Sequence, residues 1–124
     1  MCKDNRFFTF SELTHTDCDL PNLPTKMEHV ENLCCLADLL NEIRHEYAHP
    51  IIVNSAFRTP AVNSRVGGSS RSLHLQGRAA DIRPNYYPSQ DYQVNLQSLI
   101  DVVTSIQDRL TEFIIYPTFI HIAL

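Results

Sequence analysis

Apolar residues recur at helical spacing through the first half of the chain. Val30, Leu33, Ala37, Leu40, Ile43 (with Arg44 sharing that turn) and Tyr47 form one stripe, which predicts a long amphipathic helix. Thr25 and Glu28 stand ahead of it at capping-box spacing, and Pro50 requires it to stop. Before it, "FTFSELTH" predicts a short helix opening at Ser11, and "DCDLPNLP" a turn-rich loop. After it the period changes. "IIVNSAF" and "RAADIRP" predict strands, separated by a short helix that Thr59-Pro60 opens and Gly67-Gly68 closes. A second long helix follows, capped by Ser89, with Leu96, Leu99, Val103, Ile106 and Leu110 on its buried side. "EFIIYPTFIHIAL" predicts two strands around a turn at Pro117. This order of elements predicts an α+β fold with a mainly antiparallel sheet backed by helices.

At 124 residues the expectation is one domain, residues 1–124, with one modest core. A net charge of −4 argues against a nucleic-acid or anionic-membrane partner, since both require a basic surface. No apolar run reaches the length of a membrane span, and "MCKDNRFFTF" contains no apolar core of signal-peptide length. Synthesis in the cytoplasm is therefore expected, with another route of release if the protein acts outside it. The four cysteines, Cys2, Cys18, Cys34 and Cys35, contain no C-x-x-C pair. Free thiols in a reducing compartment are expected, with Cys34 in the helix core.

Two places have the residue types for a metal. "HEYAH", His45 to His49, fits H-E-x-x-H, in which two histidines one turn apart hold zinc and the glutamate activates water. Here His49 directly precedes Pro50, which disfavours helical geometry, and both histidines point away from the apolar stripe. Exposed histidines near a helix C-terminus account for them. The second place combines "SLHLQGRAADI" with "FIHIAL". His74 and Asp81 flank Gly77, which permits a tight bend, and Asp81 lies in an apolar strand where a carboxylate is costly unless paired. With His121 they make two imidazoles and one carboxylate, a zinc set with the fourth position open to water. By spacing alone, a satisfied core histidine and a capping aspartate fit better than a metal site.

The stretch "IIVNSAFRTPAVNSRVGGSSRSLHLQGRAADI" resembles the D-alanyl-D-alanine carboxypeptidase-like zinc peptidases of bacteria and phages. Their signature is S-x-H-x-x-G-x-A-x-D, and Ser72, His74, Gly77, Ala79 and Asp81 satisfy it. "FTFSELTHTD" and "FIHIAL" resemble that family's opening and closing segments, so the likeness covers nearly the whole chain. It implies the fold shared with hedgehog signalling domains. It also implies one zinc per chain held by His74, Asp81 and His121, with Arg58 holding substrate and its developing oxyanion and Ser72 a substrate contact. The implied substrate is a peptidoglycan stem peptide or cross-link, cleaved near D-amino acids. Ala56 and Phe57 replace the family's usual glycine and tyrosine, and Phe119 and Thr118 stand where relatives carry other aromatic or acid–base residues.

Those departures leave the general base to be found elsewhere, and Glu112 is the expectation. An even-numbered loop, four residues rather than two because Pro117 suits a tight primed turn poorly, puts Glu112, Ile114 and Tyr116 on one face with His121. Glu112 then lies diagonal to His121. A non-catalytic, zinc-containing wall-binding or interaction module of the same fold is the alternative. Oligomeric state is left open.

Overall fold

The computed structural model describes residues 7–124. Its elements are α1 (Phe10–Leu13), α2 (Met27–Tyr47), β1 (Ile51–Ser55), α3 (Pro60–Arg65), β2 (Ala79–Pro84), α4 (Tyr92–Thr104), β3 (Glu112–Ile115) and β4 (Ile120–Ala123). The strands form one antiparallel sheet in the order β1-β2-β4-β3, so β2 and β4 are its interior strands. This is the α+β arrangement expected. Among the described residues, no helix is long and apolar enough to cross a membrane.

Side chains alternate across the sheet. Ala80 and Ile82 of β2 and Ile120 and Ile122 of β4 are fully buried and join the core with Leu36, Leu40 and Ile43 of α2 and Leu99 and Val103 of α4. Asp81 and His121 occupy the alternate positions and face the other way. The buried face carries the packing and leaves the opposite face for polar groups.

Several boundaries differ from expectation. α1 opens at Phe10, because Thr9 caps it and exchanges hydrogen bonds with Glu12 in a complete capping box. Thr25 and Glu28 form no such box: α2 begins after Lys26, with no side-chain cap. α4 begins after Asp91, whose carboxylate accepts from the Gln93 amide, while the Ser89 hydroxyl, two residues earlier, accepts from Asp91 N–H. Ile106 and Leu110 lie beyond α4 and are half-buried. Thr59 and Pro60 open α3 as expected, and Gly67 follows its end at φ +76°.

Cys34 is disulfide-bonded, which corrects the expectation of a free core thiol. It lies off the buried stripe of α2 and is only half-buried. Cys18 and Cys35 are free, and Cys2 lies outside the described residues. α2 ends at Tyr47 and Ala48 takes the left-handed conformation, φ +66°. The chain thus leaves the helix before His49.

Gly77 fixes how the segment between β1 and β2 sits on α2. It ends a 3-10 turn over Leu73–Gln76 at φ +73°. A Cβ there would come within 2.8 Å of the His29 carbonyl oxygen and 3.0 Å of Leu33 Cγ. Gly77→Ala therefore meets both a left-handed backbone and a helix backbone that cannot yield. It should lower the unfolding free energy by roughly 1–3 kcal/mol and the melting temperature by several degrees. Thermal denaturation matching wild type would show that the turn relaxes without cost.

Candidate metal centre

Three local devices place the first histidine. Ser72 caps the 3-10 turn, its Oγ accepting from His74 N at 3.2 Å, and Gly77 closes the turn with its N–H on the His74 carbonyl at 3.3 Å. The same carbonyl accepts from Arg58 N at 3.0 Å, which ties the arginine's backbone to the histidine's. The ring is held separately: His74 Nδ1 lies 2.6 Å from the Ala56 carbonyl oxygen. A carbonyl only accepts, so Nδ1 carries the hydrogen, and the neutral ring presents a lone pair at Nε2.

That lone pair faces another acceptor. His74 Nε2 is 3.4 Å from Asp81 Oδ1. It is fully buried and has no hydrogen-bond partner. Asp81 is the direct cross-strand partner of His121, whose Nδ1 is 2.8 Å from the same Oδ1. The His74 and His121 rings meet edge to face at 5.2 Å. Among the described residues, His74, Asp81 and His121 form the group of metal-binding side chains whose ligand atoms all lie within 4.8 Å of one another. His45 and His49 belong to no such group: His45 is exposed, and His49 packs its ring against Tyr47 and Tyr87.

The hairpin parity is as expected. β3 pairs with β4 through Glu112↔Ala123 and Ile114↔His121, and Tyr116–Phe119 form the four-residue connection. Glu112 lies diagonal to His121, with its Oε1 2.8 Å from His121 Nε2. His121 therefore stands between two carboxylates. Its hydrogen bond to Asp81 is the largest influence raising its pKa, burial opposes it, and the bond to Glu112 adds to the rise. Burial alone would push the Asp81 carboxyl up. The hydrogen bond from His121, with the His74 ring close by, overcomes that and holds it well below the usual carboxylate range.

A bulge at β1 completes the wall. The register shifts between Val53 and Ser55, which sets Ser55 opposite Asp81. Ser55 Oγ accepts from Arg58 Nε at 3.0 Å, Asn63 Oδ1 accepts from Arg58 Nη1 at 3.3 Å, and Nη2 lies 3.6 Å from Asp81 Oδ2. Arg58, Ser72, His74, Asp81, Glu112 and His121 thus line one cleft of ≈ 250 Å³. Ile114, Tyr116 and Phe119 add an apolar side to it, the last two rings stacked at 4.6 Å.

Two buried asparagines at this site escaped the sequence reading. Asn22 donates to the Thr14 and Phe57 carbonyls at 2.9 and 2.8 Å and accepts from Thr59 N at 2.9 Å, clamping the segment that carries Arg58 from both sides. Asn63 holds Arg58 and also donates to the Ser69 carbonyl at 2.9 Å. An asparagine inside the short helix α3 is a poor helix former, and that was the one available signal.

Such a constellation is specific enough to be compared with known proteins. The zinc D-Ala-D-Ala carboxypeptidase of Streptomyces albus G is 48% identical over 44 residues, which is 35% of this chain and 17% of that protein. The matched stretch is thus under a fifth of the relative's length. The Peptidase M15 family matches residues 7–123, from the residues before α1 to the end of β4. A match of that extent includes both strands that present Asp81 and His121 as well as the turn that presents His74, and the chain belongs to the Peptidase M15 family.

Proposed function

We propose that this chain is a zinc-dependent peptidase that hydrolyses peptidoglycan stem peptides or cross-links beside D-amino acids, as a D,D-carboxypeptidase or endopeptidase. One observation carries the reading: the buried, unpartnered Nε2 of His74, held as an acceptor and aimed at an ionised carboxylate. Two acceptors facing each other without a proton between them repel, and a cation between them removes the conflict. Two imidazoles and a carboxylate suit zinc, and three protein ligands leave a position open for chemistry. The carboxypeptidase relative supplies the substrate class. When bound, zinc supplies Lewis acidity, polarising a carbonyl and bringing a water to a pKa of about 7.

The chain's own residues do the rest. Glu112 opens onto the cleft and is only half-buried, so it accepts a proton from the attacking water and returns it to the leaving amine. Arg58 has five N–H donors, of which Ser55 and Asn63 occupy two. The others face the cleft and Asp81, placed to bind a carboxylate end or an oxyanion. Ser72 accepts from the His74 amide with one lone pair and keeps its O–H to donate to substrate.

The 2.8 Å contact between Glu112 and His121 favours a second role for Glu112, the carboxylate that orients a metal-bound histidine. Glu112→Gln separates the two. If Glu112 is the base, the variant holds zinc as wild type does and loses at least roughly 10²-fold in turnover. If it only orients His121, zinc affinity falls by about 10–100-fold and the zinc-loaded variant turns over normally.

Metal analysis of the purified protein should find one zinc per chain. His74→Ala should abolish it, and the double change His45→Ala with His49→Ala should leave it. The reverse pattern would move the site to the C-terminal end of α2.

Arg58→Lys retains the charge and loses the planar fork. It should lower turnover while zinc content and melting temperature hold, and unchanged kinetics would remove Arg58 from the reaction. The activity itself is tested by incubating zinc-loaded protein with purified peptidoglycan and reading new termini by mass spectrometry. No new termini from any wall preparation would favour a binding module of the same family.

A further inference from the structure

We infer that Asn63 is the positioning residue for Arg58 and that Gly68 exists to leave room for it, an inference that rests on the substrate role proposed for Arg58. Asn63 is 4% exposed and both ends of its amide are engaged. Its Oδ1 accepts from Arg58 Nη1 at 3.3 Å, and its Nδ2 donates to the Ser69 carbonyl at 2.9 Å. The amide therefore has one orientation, with oxygen toward the guanidinium, since a flip would set N–H against N–H and oxygen against oxygen. Ser69 lines the same cleft as Arg58. One buried side chain thus holds the arginine and the loop that leads to Ser72 and His74.

Arg58 needs such a hold. Its guanidinium is steered by Ser55 on Nε and Asn63 on Nη1, and this leaves Nη2 turned to Asp81 and the cleft. Without Asn63, Nη1 loses its neutral anchor, and the fork is free to rotate about its last bonds toward the Asp81 carboxylate. An arginine folded onto that carboxylate is withdrawn from substrate. Gly68 sits against this contact. A Cβ there would lie 2.1 Å from Asn63 Oδ1 and 3.0 Å from Arg58 Nη1. The Gly68 N–H is bonded to the Asn63 carbonyl at 2.8 Å, so its backbone cannot back away. The constraint at Gly68 is space, whereas at Gly67 it is the positive φ.

Three single variants, Asn63→Ala, Gly68→Ala and Arg58→Ala, with the double variant of Asn63 and Arg58, test this. Asn63→Ala and Gly68→Ala should each lower kcat/KM by up to about 10²-fold, the scale of a displaced substrate-positioning group. Zinc content should stay at the wild-type level. In the Arg58→Ala background, Asn63→Ala should cost little further. An additive loss would mean that Asn63 acts through general structure, and would overturn the inference. A second readout does not depend on turnover: the Arg58 Nε–H resonance in ¹⁵N spectra of the zinc-loaded protein. It should be sharp and slow to exchange in wild type, and shifted or exchange-broadened in both Asn63→Ala and Gly68→Ala. If wild type cleaves no peptidoglycan, the proposed function falls and this resonance alone decides. An Arg58 signal unchanged in both variants overturns the inference whatever the activity.

Discussion

The site depends on one carboxylate placed where a carboxylate is expensive. Asp81 lies on an interior strand between Ala80 and Ile82, both fully buried. An unpaired ion at such a position costs several kcal/mol. The surroundings offset that from two directions, His121 on the neighbouring strand and Arg58 on the loop after β1, while the Nε2 lone pair of His74 faces the same carboxylate from a 3-10 turn. Remove the carboxylate, and two imidazoles and a guanidinium are left facing one another. His74, Asp81 and His121 converge on one point, and that cluster is the one that suits a divalent cation.

Sheet geometry makes this compatible with a stable fold. Period-two alternation sends Ile82, Ile120 and Ile122 into the core and Asp81 and His121 to the opposite face. Both site residues sit on strands that are hydrogen-bonded on either side, so their backbones are held by the sheet itself. Glu112 comes from the edge strand β3 and is the more exposed member of the cluster. A proton carrier benefits from access, whereas ligands benefit from rigidity, and the strand order distributes the residues accordingly.

The site was legible in the sequence to the extent that it follows from short-range pattern. The apolar surroundings of Asp81 marked it as a carboxylate needing a partner, Gly77 marked the bend that returns His74, and the even connection between β3 and β4 put Glu112 on the face of His121. What stayed hidden depends on tertiary approach or on a single dihedral angle. Thr25 and Glu28 have capping-box spacing whether or not the chain turns helical after Thr25, and it does so only after Lys26. Cys34 is one residue from Leu33 on the helix, a rotation of about 100°, which takes it off the core stripe and into a disulfide. Asn22 and Asn63 look like ordinary loop and helix residues because their partners, Phe57, Thr59, Ser69 and Arg58, reach them only in the folded chain.

The connection from β1 to β2 shows how a long polar excursion can still be exact about one ring. Its 23 residues, 56–78, carry Arg58, Ser72 and His74 and contain all three glycines of the chain. His74 is specified three ways within it: Ser72 orients its amide, Ala56 orients its ring, and its carbonyl is shared by Arg58 and Gly77. Each contact closes a loop within the excursion, so the ring direction is set by the excursion's own two ends. The sheet then needs only to supply Asp81 and His121 at matching height. Gly77 presses the excursion onto α2 without a side chain in the way, and Gly68 leaves Asn63 room to hold Arg58. A connection built of one short helix and turns is in this way closely constrained, and the constraint is concentrated at the atoms that face the cleft.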